Sequence, residues 1–124
     1  GTHNMIIGIG TDIIEVSRLA KAIENSRFLE RYLTESEKAY FLFKNRNPQT
    51  IAASFAAKEA FSKALGTGFR GFALKDVEVL RDSFGKPYIN VYNNAARLVG
   101  DGIIHVSLTH IKEYASAYVI IEKQ

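Results

Sequence analysis

The sequence has no cysteine and no tryptophan, and only two prolines and one methionine among its 124 residues. Without cysteine there can be no disulfide, no thiolate zinc site and no cysteine nucleophile. That absence fits a reducing compartment, and the expected location is the cytoplasm. No apolar run approaches the roughly 20 residues of a membrane span. The N-terminus lacks the charged, apolar and small-residue succession of a secretion signal. Long blocks of one charge are missing too: sixteen Lys/Arg against thirteen Asp/Glu leave a net +3. So modest an excess favours acidic partners without naming nucleic acid, and no aromatic-interleaved basic tract is present. The Walker A lysine motif, the Rossmann glycine fingerprint, HExxH and GxSxG are all absent. P-loop nucleotide hydrolases, zincins and serine hydrolases therefore lose support.

What is present is globular: 47% hydrophobic and 23% charged residues, with eight Phe and six Tyr to build a core. Residues 1–4 read as an expression scar before a native start at Met5, which sets His3 outside the chemistry. Residues 5–124 are expected to form one domain.

The chain is organised around residues 54–68, SFAAKEAFSKALGTG. Phe55, Ala56, Ala60, Phe61, Ala64 and Leu65 recur at helical intervals, and Gly66 is placed to end the helix in a left-handed conformation. Lys58, Glu59, Ser62 and Lys63 are set in this apolar frame, with Glu59 and Lys63 four apart on one face. They form either a surface ion pair or a carboxylate for a metal beside an ammonium for phosphate.

Residues 5–14, MIIGIGTDII, predict a buried strand in which Gly8 and Gly10 mark a bulge or the close approach of another backbone or a ligand. Asp12 is its one charge, either an N-cap or loop-bonding carboxylate or a metal ligand. Residues 15–25 predict an amphipathic helix whose polar face carries Arg18 and Lys21, with Arg27 and Arg31 beyond. Those charges suit solvent or an acidic protein. Thr34 and Glu37 form a capping-box signature for a second helix, and a third runs from residue 49 or 50 to Leu65. Lys44 and Arg46 lie in the loop between, suited to solvent or to phosphate.

Beyond residue 71 the pattern turns to β: a strand around residues 77–80, a Gly/Pro turn at 83–87, and a partner at 88–92. Residues 93–99 predict a short helix or irregular turn, followed by strands at 103–109 and 114–122. His110 shares phase with Ile104, Val106 and Leu108, so it is either a core histidine or one that handles a proton. His105 falls on the opposite phase. The order is strand, three helices and a meander of four strands, hence α+β with helices packed on a largely antiparallel sheet.

Asp12 and Glu59 are the two acidic residues in otherwise apolar elements. Mg²⁺ takes one or two carboxylates, keeps waters and receives further oxygens from substrate phosphate. From the residues alone the reading is a magnesium-dependent phosphate-handling site. A non-catalytic basic module for an acidic protein or nucleotide, and a magnesium-dependent phosphohydrolase, remain open beside it.

Three segments together resemble the acyl-carrier-protein synthase family, the small phosphopantetheinyl transferases. They are GIGTDIIEVSR at 8–18, FAAKEAFSKALGTG at 55–68 and HVSLTHIKEYASA at 105–117; LTESE at 33–37 and GKPY at 85–88 are similar as well. The resemblance implies that family's α+β fold. It also implies transfer of 4′-phosphopantetheine from coenzyme A to a serine of apo acyl carrier protein, dependent on Mg²⁺, in fatty acid biosynthesis. It gives Asp12 and Glu59 as metal ligands and Glu59, Lys63 and His110 as catalytic residues. Lys44, Arg46, Ser62, Lys63, Gly66, Lys86, Pro87 and His110 become coenzyme A-binding, and Arg18 and Lys21 carrier-protein-binding. A homotrimer with sites at subunit interfaces is implied, with neither nucleic acid nor membrane as partner. One departure stands out: where the family commonly has an arginine before the central motif, this chain has Ser54. The grip on coenzyme A then falls to Lys44, Arg46, Lys86 or Arg70.

Overall fold

The β-branched, glycine-broken N-terminal run forms β1 (Met5–Glu15) in a computed structural model that describes residues 3–68 and 70–124. Gly1 and Thr2 of the expected scar, and Phe69, lie outside the described residues. A run of helices follows: α1 (Val16–Ala22), α2 (Ser26–Tyr32), α3 (Glu35–Phe43) and α4 (Pro48–Leu65). A 3₁₀ turn at Leu74–Asp76 leads into β2 (Val77–Arg81) and β3 (Pro87–Val91), then α5 (Asn93–Val99), β4 (Ile103–His110) and β5 (Tyr114–Lys123). Among the described residues no helix is long and apolar enough to cross a membrane.

The α+β class holds, with two corrections. Four helices precede β2 rather than three, because Asn25 caps an additional short helix by accepting from the Arg27 amide at 3.0 Å. The four late strands do not form one meander either. β2 and β3 make a separate two-stranded sheet, while β4 and β5 join β1 in the order β1-β5-β4, all antiparallel. The helix α5 stands between the two hairpins in the chain.

Helix α4 is the axis of the core. Pro48 lies in its first turn behind the Asn47 cap, and Gly66 ends it at φ 79°, as the sequence predicts. Ala56, Ala57, Ala60 and Phe61 are fully buried against Ala117, Val119 and Ile121 of β5. The side facing β1 is closer still. A Cβ on Gly8 would sit 1.7 Å from the Ala64 carbonyl oxygen, and one on Gly10 would sit 1.8 Å from that of Ala60. Both expectations for these glycines are met, since the register also shifts between Ile6 and Gly8. Helix and strand run antiparallel at near backbone contact, and Asp12, two residues past Gly10, shares its face.

The other face of the three-stranded sheet is open. Ile9 and Ile13 of β1 are 62% and 66% exposed, and Tyr118 of β5 is 59% exposed. His105 lies on that same side, its Nε2 2.7 Å from Glu122 Oε1.

Candidate active site

Lys63 leaves α4 toward β1 and reaches the Asp12 carboxylate, Nζ to Oδ1 3.2 Å, while also donating to the Thr11 carbonyl at 3.0 Å. The direction follows from helical geometry, because side chains lean toward the N-terminus, where α4 passes Asp12. Asp12 caps nothing, since Glu15 occupies the N-cap of α1. The intrahelical Glu59–Lys63 pair is not formed among the described salt bridges; Lys63 takes Asp12 instead.

Glu59 lies one turn away on the same helix. Its carboxyl is held above the ordinary range, first by burial and then by the Asp12 charge, with Lys63 opposing both. Asp12 thus contacts an ammonium that is 54% exposed, and Glu59 feels the charge of both. This donor set fits a hard divalent cation. Its donors are all oxygen, the carboxylates number two, and the open side leaves room for water and phosphate oxygens. Ser62 is buried and donates its hydroxyl to the Glu59 carbonyl at 2.7 Å, so it shapes the helix rather than facing the site.

A cleft beside this cluster is lined by Ile14, Arg18, Leu19, Phe28, Phe55 and Glu59. Arg18 is thereby brought to the acidic site from α1, whereas Lys21, also exposed, lies outside that cleft.

His110 is elsewhere. It ends β4, is exposed rather than buried in the core, and pairs across with Ala115, which pairs with Ile14. β5 separates β4 from β1, so two strand spacings, about 10 Å, lie between their backbones. A second cleft, of about 310 Å³, holds His110 with Tyr40, Lys44, Arg81, Pro87 and Leu108. The two clefts share no residue. Arg46, in a left-handed conformation at φ 56° with its guanidinium over Phe41, lines a third cleft with Lys38 and Leu42. Lys86 lines a fourth with Pro87 and His105. Arg70 is exposed and lines none of these clefts. Sequence reasoning missed Tyr40 and Arg81. The one sequence signal for Arg81 was a cation at the end of a strand just before a tight turn.

The sequence profile of the 4′-phosphopantetheinyl transferase superfamily matches residues 8–119. The chain belongs to that family. Within the 4′-phosphopantetheinyl transferases it is 50% identical over 121 residues to the holo-[acyl-carrier-protein] synthase of Clostridium beijerinckii, covering 95% of this chain and 98% of that protein. The fold agrees. The holo-(acyl-carrier-protein) synthase of Bacillus anthracis, solved in complex with CoA (3′,5′-ADP), superposes with a TM-score of 0.82 at 40% identity. That alignment covers 97% of this chain and 99% of the other. The Neisseria meningitidis enzyme of the same name gives 0.88 at 32% identity, covering 96% and 100%. Asp12, Glu59, Lys63 and His110 all fall inside the span matched by this transferase family.

Proposed function

We propose that this protein transfers 4′-phosphopantetheine from coenzyme A to a serine hydroxyl of an apo acyl carrier protein, releasing adenosine 3′,5′-bisphosphate. The observation that carries the reading is the convergence of Asp12, Glu59 and Lys63 between β1 and α4 in a chain of this family. Asp12 and Glu59 would hold Mg²⁺, which would supply positive charge against the pyrophosphate. Lys63, freed from Asp12, donates to a phosphate oxygen. The serine oxygen forms the new P–O bond, the bond to the bisphosphate breaks, and the serine proton passes to a base. Glu59, directly or through a water, takes that role; His110 steadies the phosphates and exchanges a proton with solvent.

In our reading the two clefts belong to one site only when copies associate. The open sheet face, with Ile9, Ile13 and Tyr118 exposed, suits burial against further copies in a homotrimer. Each site then takes Asp12, Glu59 and Lys63 from one chain and His110, Lys44 and Pro87 from its neighbour. Arg46 and Lys86, in adjoining clefts, extend the cationic surface for coenzyme A, and Gly66 ends the helix that presents Lys63. We place the reaction in the cytoplasm, supplying holo carrier protein to fatty acid biosynthesis.

Intact-mass spectrometry tests the reaction. An apo carrier incubated with this protein, coenzyme A and Mg²⁺ gains one phosphopantetheine, and EDTA abolishes the gain. No gain from folded protein with several carriers would leave a binding module, and an equal gain in EDTA would remove the metal from the account.

Arg18 and Lys21 on α1 meet the acidic carrier. Arg18→Glu is expected to raise KM for the carrier about tenfold, by slowing encounter and adding repulsion, while KM for coenzyme A stays within about twofold. Steady-state kinetics with each substrate varied in turn decides this; equal loss for both contradicts the division of roles.

A further inference from the structure

We infer that Arg81 is the residue by which this protein distinguishes coenzyme A from its 3′-dephospho form, by gripping the 3′-phosphate in the cleft that holds His110. Arg81 ends β2 opposite Pro87 and lines this cleft together with Lys44 and His110. No carboxylate lines it among the described residues. The guanidinium lies 5.9 Å from the centre of the Tyr40 ring and the Lys44 ammonium 6.0 Å from it, so one aromatic ring carries two cations.

Neither cation has an ion-pair partner among the described residues. The nearest carboxylate in sequence, Asp82, is already engaged: its Oδ1 accepts from the Phe84 and Lys86 amides, both at 2.9 Å, and fixes the tight turn after Arg81. Two unpaired cations facing one concavity call for an anion, and the fork of an arginine matches phosphate oxygens in pairs.

Which anion follows from what coenzyme A offers. Its pyrophosphate is claimed by the metal and Lys63 across the site. The remaining phosphoryl group is the 3′-monoester, which carries close to two charges at neutral pH and is missing from 3′-dephospho-coenzyme A. Ser54 next to the cleft-lining Ala53 supplies no charge from α4, which leaves the arginine of β2 as the forked donor. This inference rests on the proposed function for the identity of the substrate and for the placing of its pyrophosphate at Lys63.

Calorimetric titration of the parent protein, Arg81→Gln and Arg81→Lys with coenzyme A and with 3′-dephospho-coenzyme A is the test. The parent is expected to bind coenzyme A at least about tenfold more tightly than the dephospho form. Arg81→Gln loses about tenfold for coenzyme A and less than twofold for the dephospho form, so the preference collapses. Should Arg81→Gln lose its cooperative melt, Arg81→Lys carries the same comparison, with a smaller loss confined to coenzyme A. Equal weakening for both ligands, no weakening for either, or no preference in the parent overturns the inference. Carrier modification by the parent is followed in parallel. Transfer without the preference sinks this inference alone; neither transfer nor coenzyme A binding sinks the proposed function with it.

Discussion

Asp12→Asn and His110→Ala are each expected to lower the rate of carrier modification by about 10²-fold or more while leaving the thermal melt nearly unchanged. Asp12 has a side chain 18% exposed and contributes one surface-type pair to Lys63, so its amide costs the fold under about 1 kcal/mol. Its loss to the proposed reaction is far larger, because it removes one of the two carboxylates that would hold the divalent cation. His110 is exposed at the end of β4, so truncation leaves no cavity. Glu59 adds a pH signature. Its folded carboxyl titrates above the ordinary value, so its contribution to stability is present in acid and lost as pH rises through that raised value. The metal-free protein therefore carries a small penalty at neutral pH, and Glu59→Gln should melt slightly higher without metal while being inactive with it. Initial rates by carrier mass and melts with and without Mg²⁺ check these outcomes together. Retention of more than about a tenth of the rate by Asp12→Asn would contradict the role given to it.

Lys58→Met is expected to destabilise the fold by about 3–5 kcal/mol, the largest effect of any single substitution considered. Lys58 is 0% exposed, next to Glu59 in sequence but turned into the protein. Its ammonium donates to the Tyr32 carbonyl at 2.9 Å, Glu37 Oε1 at 2.9 Å and the Leu74 carbonyl at 3.1 Å. Glu37 in turn accepts from the Val79 amide at 3.0 Å and closes the capping box of α3 at Thr34. One ammonium therefore ties α2, α3, α4 and the turn before β2 together. Burial pulls the lysine below its usual range despite the attraction of Glu37, so the charge is held at a cost that only these partners offset. Methionine fills the space but takes the one cation from the buried Glu37 carboxylate and a donor from two part-buried carbonyls. The double change Lys58→Met with Glu37→Leu should recover part of the loss, because an apolar pair leaves no charge unmatched. Urea denaturation at pH 7 reads all three proteins; a loss under about 1 kcal/mol for Lys58→Met would mean that water replaces the ammonium.

Beside Lys58 a second buried carboxylate, Glu78, is satisfied differently. Burial pushes it up, but Thr34, Asn90 and Tyr92 all donate to it and bring it below the ordinary range. Its contribution is full above the ordinary carboxylate range and is lost as pH falls through the lowered value, which helps to set the acid limit of the fold.

Much of this is legible in the sequence. The period of α4, its Gly66 terminus and the Thr34–Glu37 box are local signals, written within a few residues of where they act. Gly8 and Gly10 announced a close neighbour, and the neighbour is the α4 backbone. Hidden were the relations between elements. Alternation in residues 77–92 and 103–122 showed strands but not that the two hairpins belong to different sheets. The short α2 buries only part of Phe28, Leu29 and Tyr32, so its apolar period is weak. Nothing local in the sequence marks Lys58 as a buried tie, because its partners come from α2, α3 and the turn before β2. For His110, phase put the side chain on the α4-facing side; its position at the exposed strand end, away from Asp12, needed the sheet order. The site itself reads as two halves for the same reason.

That division into halves is the central claim, and mixing two inactive variants tests it directly. Asp12→Asn carries an intact His110 half, and His110→Ala carries an intact Asp12 half. Co-expressed with different tags and isolated as mixed assemblies, they should regain up to about a third of the parental transfer rate, since in the proposed trimer every mixed assembly has one of its three interfaces joining two intact halves. Activity no greater than the sum of the separate variants, in assemblies shown to be mixed, would mean that Asp12 and His110 serve one another within a single chain or not at all.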